Sequence, residues 1–233
     1  SLNCDCALAM ARESAELLRP DLKIVLMSAT MDTDAISREL GAVHLSCGGR
    51  MFPVETEWDG DCPENIAELC AALMEGKMGD DTDICPLYGQ MSLKEQRLAI
   101  EASGPGRRKI VLATPIAETS LTIEGVGCVV DSGLYRKNIF NPRSGLDSLE
   151  CFRVSRDMAD QRRGRAGRTG PGYCLRLWSR SLEQRLPENR VPEILEAELS
   201  SVALQCACWD GSGMAALPWL TPPPPQSMAG AAK

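Results

Sequence analysis

Gln161-Arg162-Arg163-Gly164-Arg165-Ala166-Gly167-Arg168 is the stretch on which the reading of this chain turns. Arg165 and Arg168 stand three apart, a spacing that on a helix sets both guanidiniums on one face. Small residues at 164, 166 and 167 leave the backbone open to close approach. Such a pair can clamp a phosphate from two directions, because guanidinium matches phosphate oxygens bidentately. The plainer alternative is a solvated basic helix end, and the glycine and alanine interleaving weighs against it.

The stretch lies in a basic island on an acidic chain. The 233 residues carry a net charge of −7, yet residues 151–190 hold ten Arg against Asp157, Asp160, Glu183 and Glu188, so this segment is +6 and the remainder is −13. That contrast points to a specific anion site more than to a surface coated with nucleic acid.

Outward from this island the pattern is α/β. Short aliphatic runs at 22–27, 109–113 and 127–131 read as buried parallel strands. Alternation over 52–58 and 173–178 adds two more strands, and 134–154 reads as a hairpin around Asn141-Pro142-Arg143-Ser144-Gly145. Apolar spacing predicts helices over 1–18, from Asp32 or Thr33 to Leu40, over 63–75, over 92–102 with Ser92 and Glu95 as a capping box, over about 157–166, and from Pro192 to 207. Lys77–Asp83 reads as a loop, 115–122 as a loop or short helix, and 226–233 as a featureless tail after a proline run.

Composition narrows the function classes. Hydrophobic residues at 44% and charged residues at 24% are those of a globular protein, with a core built from aliphatics because aromatics make up only 4%. No apolar run reaches the roughly 18 residues of a membrane span and no basic leader opens the sequence, so a soluble, cytoplasmic protein is expected. Eleven cysteines without C-x-x-C spacing and one histidine support neither a disulfide framework nor a zinc site.

In order along the chain, four segments resemble motifs of the DEAH/RHA-type superfamily 2 ATP-dependent RNA helicases, with finer similarity to bacterial HrpB-type members. Ser28-Ala29-Thr30 resembles motif III. Leu87-Tyr88-Gly89-Gln90 resembles the segment leading towards motif V, and Ala113 to Ile123, ATPIAETSLTI, resembles motif V itself. QRRGRAGR resembles motif VI. Phe52-Pro53-Val54-Glu55, Asn141 to Leu146, and Leu217-Pro218-Trp219-Leu220 carry the finer similarity.

The resemblance implies a RecA-like parallel sheet with flanking helices, the second lobe of a P-loop NTPase helicase. It divides the chain into a remnant of lobe one over 1–58, lobe two over 59–180, the start of a winged-helix region over 181–225 and a disordered tail over 226–233. Arg165 and Arg168 would be arginine fingers on the β/γ-phosphates of ATP, and Gln161 would face the γ-phosphate or the attacking water. Asp131 would approach the nucleotide or simply cap the next turn. Ser28 and Thr30 would couple the lobes, while Thr114, Ser120 and Thr122 would contact the RNA backbone. Arg136, Lys137 and Arg143 would reach RNA from the hairpin, or form a solvated tip. The implied partner is single-stranded RNA, bound by a monomer that needs the rest of lobe one for activity.

Several departures from the family pattern matter. The phosphate loop G-x-x-x-x-G-K-[ST] and the acidic D-E-x-H motif that holds Mg²⁺ do not occur in the sequence. Ser1-Leu2 matches residues just after that acidic motif, which implies a chain beginning downstream of the Mg²⁺ site. Met74 to Asp83 passes straight through the place of the opening strand and helix of lobe two, so neighbouring sheet edges should be exposed and the lobe weakened or rearranged. Pro115 stands where the family has Asn. The chain alone is therefore expected not to hydrolyse ATP. A non-catalytic single-stranded nucleic-acid-binding module and an inactive truncated product remain as alternatives. His44, Trp178 and Trp209 read as structural residues.

Overall fold

The computed structural model describes residues 1–28, 33–46, 49, 51–60, 79–119, 122–141, 144–209 and 213–231. These form two compact units. The expected helix 63–75 lies outside the described residues.

One unit gathers residues 1–47, 138–150 and 191–233. Its N-terminal helix α1 (Leu2–Leu17) and second helix α2 (Thr33–Leu40) lie where the spacing places them. Cys6 and Ala9 of α1 are buried with Ile194, Leu199, Val202, Cys206, Leu217 and Trp219. The run from Pro192 is not one helix. A single 3₁₀ turn (Glu193–Leu195) precedes an α-helix (Ser200–Trp209), and Glu198 accepts the Ser200 N–H at 2.8 Å, which restarts the chain as a cap. The tail also departs from expectation: Pro225–Ala231 is helical, because Met228 and Ala231 pack against this same core. Trp209 is 46% exposed, with its indole N–H donated to Glu13, and so is not a core residue.

The aliphatic run Leu22–Met27 makes no strand. It lies outside any helix or strand and is exposed, with Val25 at 74% and Met27 at 88% accessibility. A parallel strand is held by ladders along its edges, and no described residue pairs with this run. The segment around His44 is likewise exposed and outside any sheet.

The other unit gathers residues 48–137 and 151–190. Strands β1 (Val54–Trp58), β4 (Cys128–Asp131) and β7 (Gly172–Arg176) form a parallel sheet in the order β1-β7-β4. Two more strands, β2 (Thr82–Leu87) and β3 (Arg108–Ala113), form a separate parallel pair. Among the described residues the parallel strands of this unit thus fall into two separate groups. Strand β2 replaces the last residues of the expected loop. Pro86 disguises it in sequence, and β2 tolerates the proline because even-numbered residues face the edge that has no strand partner among the described residues: the ladder bonds run from Arg108 N–H to Asp81 O and from Thr114 N–H to Leu87 O.

Helix α3 (Leu93–Ile100) carries the full capping box, Ser92 Oγ accepting the Glu95 N–H and Glu95 accepting the Ser92 N–H at 3.0 Å. A one-turn helix α4 (Ile116–Thr119) follows β3, with Pro115 at its entrance, where a missing N–H costs nothing. The hairpin is present as β5 (Leu134–Asn141) and β6 (Leu146–Arg153). Helix α5 (Arg156–Arg163) buries Met158 and Ala159 against Val154, Trp178 and Leu186.

Candidate nucleotide and nucleic-acid interface

Helix α5 stops at Arg163, short of the expected 166. Arg165 N–H donates to Arg162 O at 3.0 Å and Ala166 N–H to Arg163 O at 3.1 Å, so the end tightens into a 3₁₀-type turn and Arg165 and Arg168 sit beyond the helix. The glycines of the motif serve packing against protein backbone. A Cβ on Gly167 would lie 2.7 Å from Phe52 O, and one on Gly172 would lie 2.3 Å from Ala166 O. Phe52 N–H bonds Gly167 O at 2.9 Å and Gly172 N–H bonds Pro53 O at 3.0 Å. The loop 164–172 is pinned onto the entry to β1.

Arg162, which the sequence did not mark, is the hub. Its side chain is 15% exposed and meets the carboxylates of Glu118 and Asp131, themselves 7% and 1% exposed. Nε donates to Glu118 at 2.7 Å, and one terminal nitrogen donates to Asp131 at 2.8 Å and to Leu134 O at 3.2 Å. Burial works against the Arg162 charge, but the two carboxylates outweigh it and hold its pKa above the usual arginine value. Asp131 also accepts the Gly133 N–H at 2.9 Å, so it caps the turn after β4 as one of its two expected roles required. Its second oxygen, Oδ2, is buried with no partner among the described residues.

Arg165 donates to the main-chain carbonyl of Glu118, and Arg168 donates to Thr122 Oγ1 at 3.0 Å. The segment resembling motif VI therefore touches the segment resembling motif V through both arginines. Partial burial, and next the neighbouring charge of Arg168, push the Arg165 pKa below the usual value. An anion between these guanidiniums would relieve that repulsion.

Gln161 is placed elsewhere: Arg190 donates to its amide oxygen at 3.1 Å and to Asp157 at 3.0 Å. Thr114 is exposed and bonded through its N–H to Leu87 O at 3.0 Å. Thr122 and Arg136 are exposed. Ser28 is exposed and belongs to the other unit. Thr30, Ser120 and Arg143 lie outside the described residues. Glu118 and Arg162 could have been suspected only as an acid and a base in two separate helices. That signal carries no spacing rule, since they are 44 residues apart.

The donor set fits the phosphates of a nucleotide and does not fit a metal. Two guanidiniums and hydroxyls suit oxyanions. Among the described residues no group of three or more His, Cys, Asp or Glu could hold a metal ion, and no helix is long and apolar enough to cross a membrane.

Comparison with known proteins shows what the chain as a whole is similar to. Residues 62–170 match the model of the helicase conserved C-terminal domain. The chain is 37% identical over 254 residues to the ATP-dependent RNA helicase HrpB of Escherichia coli K12, covering 96% of this chain and 31% of that protein. It is 34% identical over 267 residues to the Arabidopsis thaliana ATP-dependent RNA helicase DEAH11, with 98% and 15% covered. The Schizosaccharomyces pombe pre-mRNA-splicing factor ATP-dependent RNA helicase prp22 is 35% identical over 253 residues, with 92% and 22% covered. Two crystal structures of E. coli HrpB match all of this chain with TM-scores of 0.86 and 0.89, at 37% and 36% identity, over 32% and 34% of those chains. The chain is thus similar to the DEAH/RHA helicases, and it spans about a third of the length of the HrpB proteins it matches.

Proposed function

We propose that this chain provides the arginine-bearing, RNA-gripping side of an ATP-dependent RNA helicase. The observation that carries the reading is the junction of Arg165 and Arg168 with Glu118 and Thr122. Arg165 and Arg168 neutralise charge on the β/γ-phosphates of ATP, and Gln161 turns to the γ-phosphate or the attacking water once released from Arg190. Asp131 acts through Arg162 and does not touch the nucleotide. Thr114, Ser120, Thr122 and Arg143 hold the backbone of single-stranded RNA through phosphate contacts that carry no base readout. Ser28 and Thr30 couple nucleotide and RNA sites.

On this reading residues 1–58 belong to lobe one, 59–180 to lobe two and 181–225 to the start of a winged-helix region, in a cytoplasmic protein. The phosphate loop and Mg²⁺-binding acids come from additional polypeptide, since neither motif occurs in the sequence. Alone, the chain binds RNA and does not turn over ATP. The same missing motifs favour a second reading, a non-catalytic single-strand binder.

Anisotropy with a labelled single-stranded oligoribonucleotide tests the grip. Affinity should fall steeply with salt and drop in R168A, with log K falling by about 0.7 per phosphate contact for each unit of log salt. No binding at low salt refutes both readings. Binding strengthened by an ATP analogue, and lost in R165A, selects the helicase reading. RNA-stimulated ATP hydrolysis by the chain alone would overturn the assignment of the phosphate loop to other polypeptide.

A further inference from the structure

The last residues of the three-stranded sheet form one row. Trp58 of β1 and Asp131 of β4 are both paired in register with Arg176 of β7. Parallel strands lie about 4.8 Å apart, so Trp58 stands two spacings, about 10 Å, from Asp131. Helix α5 is tied to this row twice: Arg162 donates to Asp131 at 2.8 Å, and Arg176 donates to Asp160 at 2.8 Å. The carboxyl ends of parallel strands are where open α/β sheets place ligands.

Around Trp58, indoles and guanidiniums alternate. Glu183 fixes both rings, accepting the Trp58 Nε1–H at 3.1 Å and the Trp178 Nε1–H at 2.7 Å on one oxygen and Arg176 on the other. Arg176 is buried, with its guanidinium carbon 5.8 Å from the Trp58 ring centre and 5.5 Å from that of Trp178. Arg180 extends the stack on an exposed residue, its guanidinium carbon 4.4 Å from the centre of the Trp58 ring. Ser179 Oγ accepts the Leu182 N–H at 3.2 Å and so holds the turn Arg180–Glu183 that brings Arg180 and Glu183 to the same indole. Glu183 is taken up by the buried arginine and the two indoles, and the exposed arginine is left to the ring face.

We infer that Arg180, held over Trp58, is a platform on which one base of a single-stranded RNA stacks. Unpaired bases stack on aromatic rings and on Arg guanidinium planes, and this arginine is already ordered by the ring beneath it. Segment 151–190, with its charge of +6, supplies the attraction that brings phosphates to this end of the sheet. The contact reads no sequence, because every base has a π-face. It rests on the RNA-binding reading above and adds a base-face contact to its phosphate contacts.

Anisotropy titrations of the full chain at one low salt concentration test it, with a short labelled oligoribonucleotide and a strand of equal length that lacks its bases. The wild type should bind the complete strand at least about fivefold more tightly, the lower end for one stacked base. Arg180→Lys keeps the charge and removes the plane, while Arg180→Leu keeps the ring covered and removes both. The residue is exposed, so each variant should retain the wild-type circular dichroism spectrum. In each, the ratio of the two affinities should fall by about fivefold or more. Equal binding of both strands by the wild type overturns the platform and leaves the phosphate grip in place. So does a ratio that R180K leaves unchanged, which would make Arg180 a contact to phosphate only. A preference that millimolar ATP abolishes overturns it too, by assigning the stack to the base of a free nucleotide. Binding of neither strand refutes the RNA reading, and this inference with it.

Discussion

Removing the Arg162 guanidinium should cost this protein a large share of its stability. Arg162→Ala deletes two ion pairs and a bond to Leu134 O in one step, and leaves the Glu118 and Asp131 carboxylates buried without their cation. Breaking a buried pair by removing one partner costs about 3–5 kcal/mol, most of it the desolvation of the charge left behind. Asp131 sharpens the case, because its Oδ2 already lacks a partner among the described residues and only Gly133 N–H would remain on Oδ1. Against a domain stability of about 5–15 kcal/mol, that loss leaves a marginal fold.

Urea unfolding followed by circular dichroism reads the difference through the midpoint at constant slope. One feature separates this account from simple loss of packing. Replacing all three groups together, as R162M with E118L and D131L, should recover most of the loss, because apolar side chains of similar volume need no partner. A deficit below about 1 kcal/mol, or one not recovered by the triple replacement, would refute the reasoning.

Other consequences follow from the same geometry. Gly167→Ala should destabilise by about 1–3 kcal/mol, since its Cβ would press on the Phe52 carbonyl, whereas Gly170→Ala, facing open space, should stay within about 0.5 kcal/mol; thermal melts compare them. Ser92→Ala should cost about 1 kcal/mol in a urea titration through loss of the capping box. Burial pushes the Cys174 thiol up to about 11 from 9.0, so the native state favours the protonated form. That stability is fully present below pH 9 and is lost as pH rises towards 11, and a melting temperature that Cys174→Ala leaves equally alkaline-sensitive would count against it.

Much of the fold was legible because it is written in local rules. The capping box at Ser92, the hairpin around Asn141-Pro142 and the alternation of β1 each depend on neighbours within a few residues, and each is where the pattern places it. Misreadings arose where a distant partner decides. The loop reading of Lys77–Asp83 misses the start of β2, whose Pro86 stands on an edge with no strand partner among the described residues. Leu22–Met27 reads as a buried strand, but periodicity reports the capacity to pair and not the presence of a mate. The small residues of QRRGRAGR read as room for a ligand, while the space belongs to Phe52 and Val54.

The candidate site divides along the same line. Arg165 and Arg168 could be picked out because their chemistry is displayed: two cations with small neighbours, three residues apart. Arg162 could not, since an arginine aimed inward is indistinguishable in sequence from one aimed outward until Glu118 and Asp131 converge on it. Yet it is Arg162 that fixes the helix end from which the other two project, and Glu118 that receives Arg162 on its carboxylate and Arg165 on its carbonyl. A phosphate drawn between Arg165 and Arg168 would therefore be felt at Glu118, in the helix that follows β3. On the proposed function, the short path from nucleotide to RNA runs through a buried carboxylate whose own side chain touches neither.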